Sequence, residues 1–133
     1  MAFRSLAPGV VVSGQITVDD LTIAAAQGVT RVVNNRPDDE ETGQPSSAEM
    51  AAAAGAVGLD YVHAPVRGMP DAEAVAVVAA ALADGASTLL YCRSGARSAA
   101  AWAMATAGSG QKTADEVRAA AAAAGYDLSR LPL

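Results

Sequence analysis

The sequence predicts an α/β fold: one domain over residues 1–133, with a four-stranded, mostly parallel sheet flanked by about five helices. Three observations predict it. Short β-branched runs bounded by Gly or Pro alternate with longer alanine-rich runs, as strands buried on both faces alternate with crossover helices. Three of the longer runs open on a hydroxyl residue followed three positions later by a carboxylate, a pair that caps a helix reciprocally. The composition is globular, 52% apolar and 17% charged over 133 residues, which is enough chain for a single hydrophobic core.

The elements follow in order. A first strand is read in GVVVS (9–13), and the helix after it opens at Thr17-Val18-Asp19-Asp20. TRVVNN (30–35) is the second strand. Gln44-Pro45 leads into a helix capped by Ser46 with Glu49. LDYVHAP (59–65) is the third strand, and Asp71 can cap the helix over 72–83. STLLYC (87–92) is the fourth strand, followed by a helix through about Ala107 and a last one capped by Thr113 with Glu116. Gly28, Gly58, Gly85 and Gly125 stand where helices should stop, since glycine takes the left-handed C-terminal position at little steric cost. Four strand–helix units and a terminal helix give a mostly parallel sheet with helices on both faces.

Composition narrows the function. A net charge of −5 argues against nucleic acid or an anionic membrane as partner. One cysteine cannot form an internal disulfide, so a reducing, cytoplasmic setting is expected. Pro8 and Gly9 interrupt the N-terminal run, which does not read as a signal peptide. The apolar stretch 74–83 is too short to span a bilayer. His63 is the single histidine, so one chain holds neither a Ser-His-Asp triad nor a His-rich metal site. No cofactor or metal is expected.

In an open α/β sheet, ligands bind beyond the carboxyl ends of the strands. Those ends carry Asn34-Asn35-Arg36, Pro65-Val66-Arg67 and Cys92-Arg93. Eight of the nine cationic residues are arginine, and Arg36, Arg67, Arg93 and Arg97 fall in or just after these ends. A small anion belongs there. YCRSGARS (91–98) holds the lone thiol, Cys92, at a strand end ahead of a helix N-terminus. Backbone N–H groups, the helix dipole and nearby arginines all favour a thiolate at such a place. Gly95 lets the Ser94, Gly95 and Ala96 amides curl inward as a nest. Arg93 adds charge, Arg97 can clamp the anion as a bidentate fork, and Ser98 can donate to the sulfur. A buried structural cysteine is the bland alternative, but two flanking arginines are poor core material.

Other residues are weighed against their structural roles. In NNRPDDEE (34–41) Arg36 can face the anion while Asp38, Asp39 or Glu40 orients Arg97 or Arg93; the alternative is a solvated acidic loop. His63 reads as a hydrogen-bonded core histidine or as a brace for the loop. Arg67 is a further cation at the edge. Gln15 can add an amide to the site. Trp102 reads as core.

VVVSGQITVDDL (10–21), VVNNRPDDEETGQPS (32–46), GLDYVHAPV (58–66) and YCRSGARSAAAW (91–102) resemble, in order, the phosphatase-like domain family of the beta-lactamase hydrolase-like proteins, near the protein tyrosine phosphatases. The resemblance implies a cysteine-phosphatase-like α/β fold, Cys92 as nucleophile and loop 92–98 as anion cradle. GMPD (68–71) resembles the Trp-Pro-Asp loop of tyrosine phosphatases with Met69 in place of Trp, and by that likeness Asp71 is the general acid. Its other reading is an ordinary N-cap.

One departure redirects the expectation. The tyrosine phosphatase signature has five residues between Cys and Arg; here Arg93, Ser94, Gly95 and Ala96 make four. That spacing resembles the rhodanese loop, whose tighter ring holds one sulfur rather than a phosphoryl group. Persulfide transfer also needs no strong acid, because its leaving group is a stabilised anion. The favoured expectation is therefore a sulfurtransferase working through a Cys92 persulfide. Phosphate-ester hydrolysis through a phosphocysteine, and a non-catalytic module binding small anions or a phosphorylated partner, stand as alternatives. The partner in the enzymatic readings is a small anion, either a sulfane-sulfur donor or a phosphate ester.

Overall fold

The computed structural model describes residues 3–133. Five strands and five helices follow one another as β1 (Arg4–Ala7), β2 (Val10–Ser13), α1 (Val18–Ala26), β3 (Arg31–Asn34), α2 (Ser47–Ala56), β4 (Asp60–His63), α3 (Ala72–Leu82), β5 (Thr88–Tyr91), α4 (Ala96–Gly108) and α5 (Ala114–Ala123). The strand order is β1-β2-β5-β3-β4. β2, β5, β3 and β4 run parallel, in register Val12 to Leu90 to Val33 to Val62. The expected strands and helices are all present, so the α/β architecture stands.

The strand count is corrected from four to five. β1 pairs antiparallel with β2, Arg4 opposite Val12. It was illegible because a four-residue edge strand, RSLA, exposes Arg4 and Ser5 and buries fully only Leu6, leaving no alternation to read.

Caps set where the helices begin. Thr17 with Asp20, Ser46 with Glu49 and Thr113 with Glu116 each form the reciprocal pair of bonds. Asp71 accepts the Ala74 N–H at 2.8 Å. α4 differs: its N-cap is Gly95 and no side chain caps it.

The period of two along the sheet sorts its side chains into two cores. Val32, Leu89 and Tyr91 pack with Leu21 and Ala24 of α1 and Met50 and Ala54 of α2. Val33 and Leu90 face the other way, against Val78 and Ala81 of α3 and Ala101 and Ala105 of α4. Beside that second core, Trp102 joins Leu6, Val12, Val117, Ala121 and Leu128, which confirms it as core. Ala101 and Ala105 pack α4 onto Val33 and Leu90 of the sheet, and the short link from β5 to α4 carries Cys92 between the strand end and the helix N-terminus.

Candidate active site

Cys92 leaves β5 fully buried, at 0% exposure. Its seat is made by the end of β2. The Cys92 N–H bonds to the Ser13 carbonyl at 3.4 Å, and the Gln15 N–H bonds to the Arg93 carbonyl at 3.1 Å. A Cβ on Gly14 would stand 3.0 Å from that same carbonyl, so the smallest residue is what lets β2 approach. Gly95, at φ +94°, turns the chain back, and its N–H donates to Cys92 Sγ at 3.1 Å. The sulfur thus receives a backbone donor at the uncapped start of α4, where unpaired amides and the dipole favour negative charge.

Arg97 lies on the first turn of α4. Its Nη1 donates to Glu40 Oε2 at 2.7 Å and to the Val66 carbonyl at 2.7 Å, and its Nη2 donates to Glu40 Oε1 at 2.8 Å. A guanidinium has five N–H groups. Those bonds use three and leave the Nε–Nη2 edge, a two-donor fork. The Arg97 pKa is raised, chiefly by its hydrogen bonds to the Glu40 carboxylate. Arg97 thus stands on the first turn of the helix whose N-cap glycine donates to the Cys92 sulfur.

Glu40 is shared. Arg36 Nε donates to its Oε1 at 3.0 Å. Hydrogen bonds from Arg97, and then from Arg36, hold the Glu40 carboxyl down at about 2. Arg36 itself is buried, with 2% of its side chain exposed. Its Nη1 donates to Gln15 Oε1 at 3.1 Å, its N–H to Asn34 Oδ1 at 2.8 Å, and its carbonyl lies 2.9 Å from His63 Nε2. Arg36 is thus a buried strut behind Glu40 and Arg97, braced by His63. The run 34–41 is an arginine-orienting loop, with Glu40 as the orienting carboxylate.

Several expected positions are corrected. The Ser98 hydroxyl does not donate to the sulfur; it donates to Asn35 Oδ1 at 2.7 Å, and both side chains are buried. Asp38 orients no arginine: its Oδ1 accepts the Ser47 N–H at 2.7 Å, fixing the entry to α2. The Gln15 side-chain amide is turned to Arg36 and to the Ile16 carbonyl, so Gln15 reaches the loop only through its backbone N–H. Arg93 points outward, 66% exposed, and pairs with Glu41 at 3.3 Å. The Ala96 N–H is taken by Ser94 Oγ at 3.3 Å. Asp71 is bonded as the α3 cap and lines a cavity of about 280 Å³ with His63, Arg67, Met69 and Glu73. Gly68, Met69 and Pro70 of the same loop line a neighbouring groove together with Arg97. Among the described residues no cluster of His, Cys, Asp and Glu could hold a metal ion, and no helix is long and apolar enough to cross a membrane.

Sequence reasoning missed Asn35 as the Ser98 acceptor and Tyr126, whose hydroxyl donates to the Ser94 carbonyl at 3.3 Å. Both contacts join residues distant in sequence, and neither pair carries a local signal.

Comparison with known proteins agrees with this geometry. Residues 2–109 match the family described as beta-lactamase hydrolase-like protein, phosphatase-like domain. A beta-lactamase hydrolase-like protein of Xylella fastidiosa (strain Temecula1) is 36% identical over 121 residues, 90% of this chain and 28% of that protein. The chain therefore spans little more than a quarter of this relative. A proposed phosphatase of Neisseria meningitidis Z2491 superposes with a TM-score of 0.79 at 31% identity, covering 96% of this chain and 92% of the other. Tk-PTP in its active form shares the fold, with a TM-score of 0.68 at 18% identity over 88% of this chain and 82% of its own. These likenesses favour the phosphatase alternative and give no support to sulfur transfer. With its matched span, its sheet order and its cysteine loop, the chain belongs to the phosphatase-like domain family of the beta-lactamase hydrolase-like proteins.

Proposed function

We propose that this domain hydrolyses small phosphate monoesters through a phosphocysteine on Cys92. The observation that carries the reading is the Gly95 N–H donated to Cys92 Sγ at the uncapped start of α4, with Arg97 on the first turn of that helix. Sγ attacks phosphorus, the ester P–O bond breaks, and the leaving oxygen departs with the electron pair and takes a proton from water. Water then attacks phosphorus, giving a proton to the hydroxide left by the first step; the S–P bond breaks, and the thiolate and inorganic phosphate are released. The loop amides not bonded to Cys92 Sγ or Ser94 Oγ and the Nε–Nη2 fork of Arg97 hold the equatorial oxygens. That positioning and charge stabilisation is where most catalysis of phosphoryl transfer lies. Glu40 and Arg36 keep the fork aimed. Asp71 serves in this reading as the α3 cap, and an aryl leaving group, itself a stabilised anion, departs without a strong acid.

Turnover of p-nitrophenyl phosphate tests the proposal. Cys92→Ser is expected to lower kcat by more than about 10³-fold, the scale of losing a nucleophile. A Cys92→Ser protein as active as the unchanged one sinks the reading. The four-residue spacing between Cys92 and Arg97 favours one second reading, transfer of sulfane sulfur. Thiosulfate would then add one sulfur to Cys92, and no aryl phosphate would be turned over.

A further inference from the structure

Tyr126 lies beyond α5 and outside the span 2–109 that matches the family, yet it packs against the cysteine loop. Its hydroxyl donates to the Ser94 carbonyl at 3.3 Å. It also occupies the space where a Cβ on Gly95 would stand, its ring carbon only 2.9 Å from that point. The peptide between Ser94 and Gly95 carries both relevant groups. No peptide in the described chain is cis, and in a trans peptide the C=O and N–H point in opposite directions across one rigid plane. Holding the Ser94 carbonyl toward Tyr126 therefore turns the Gly95 N–H the other way, toward Cys92 Sγ at 3.1 Å.

Tyr126 is itself fixed. Its N–H bonds to the Ala121 carbonyl at 2.8 Å. Arg4 of β1 holds the Ala124 carbonyl at 2.9 Å and lies over the tyrosine ring, 5.7 Å from its centre, within range of a cation–π contact. Gly125 turns the chain at φ +95° to deliver the tyrosine, a conformation that favours glycine.

We infer that Tyr126 is a positioning residue: its hydroxyl fixes the Ser94–Gly95 peptide so that the Gly95 N–H is aimed at the Cys92 sulfur. This rests on the reading of Cys92 as nucleophile but not on the identity of the transferred group. A peptide free to rotate would turn that donor away from the sulfur and leave the first amide of the cradle unaimed.

The test is the rate of Cys92 alkylation by iodoacetamide in unchanged protein and in Tyr126→Phe, which keeps the ring and removes the hydroxyl. The ratio of the rate at pH 7 to the plateau at high pH is expected to fall about threefold, the scale of one hydrogen bond, with the melting temperature nearly unchanged. A merely structural tyrosine would move the melting temperature and leave that ratio alone. An unaltered ratio overturns the inference. If Tyr126→Phe does not fold, exchange of the Gly95 amide in the unchanged protein decides: protection supports the inference and free exchange overturns it. Neither measurement needs turnover, so a domain inert toward aryl phosphates with a shifted ratio would sink the phosphatase reading and keep this one.

Discussion

Glu40 does two jobs with one carboxylate, and its charge is what makes Arg97 a fork with a fixed aim. Glu40→Gln keeps the size and loses the charge. It is expected to lower kcat/KM for p-nitrophenyl phosphate by about tenfold or more, since small misplacement of a positioning group is costly. It should also destabilise the fold, because the buried Arg36 loses its principal anion. The pH dependence has a definite sign. The folded carboxyl titrates at about 2, below its ordinary 4.5. A lowered pKa contributes stability that is fully present above the ordinary value and is lost as pH falls through the folded one. The melting-temperature gap between the unchanged protein and Glu40→Gln should thus stay constant from pH 5 to 8 and close as pH falls from about 4.5 toward 2. A gap that does not narrow in acid would show that the ion pair is not what Glu40 contributes.

At the scale of elements, the loop from Arg67 to Asp71 and the start of α3 pose a sharper question than any single residue. Asp71 accepts the Ala74 N–H, and Asn caps a helix about as well as Asp. Asp71→Asn is expected to melt with the unchanged protein and to turn over p-nitrophenyl phosphate within about threefold of it. Asp71→Ala should lose about 1 kcal/mol of stability. A large fall in kcat for Asp71→Asn with normal melting would instead make its carboxyl proton part of the reaction. Elements were the most legible level of this sequence. Caps such as Thr17–Asp20 and Ser46–Glu49 are local and announce themselves. β1 was not legible, because an edge strand with one buried residue owes its existence to pairing with β2. The site was legible in its types but not in its pairings. Arginines gathered at strand ends predicted an anion edge, yet which arginine faces the anion depends on burial. Arg36 turned inward to Glu40 and Arg93 outward to solvent, and nothing in their neighbours in the chain distinguishes them.

For the whole molecule, the architecture gathers its chemistry at one edge. β2 seats the cysteine loop through Ser13, Gly14 and Gln15, β3 sends out the loop with Glu40, and β5 ends on Cys92. α5 and the segment after it close the far side through Tyr126 and through Leu128 in the core with Trp102. Phosphoryl and sulfur transfer differ in the adduct each leaves on Cys92. The most direct measurement is mass spectrometry of the protein quenched in acid during turnover of p-nitrophenyl phosphate. A phosphoryl group on Cys92, absent from Cys92→Ser, is the predicted result. An unmodified cysteine throughout turnover, or a persulfide formed from thiosulfate in a protein that leaves the ester untouched, would contradict it.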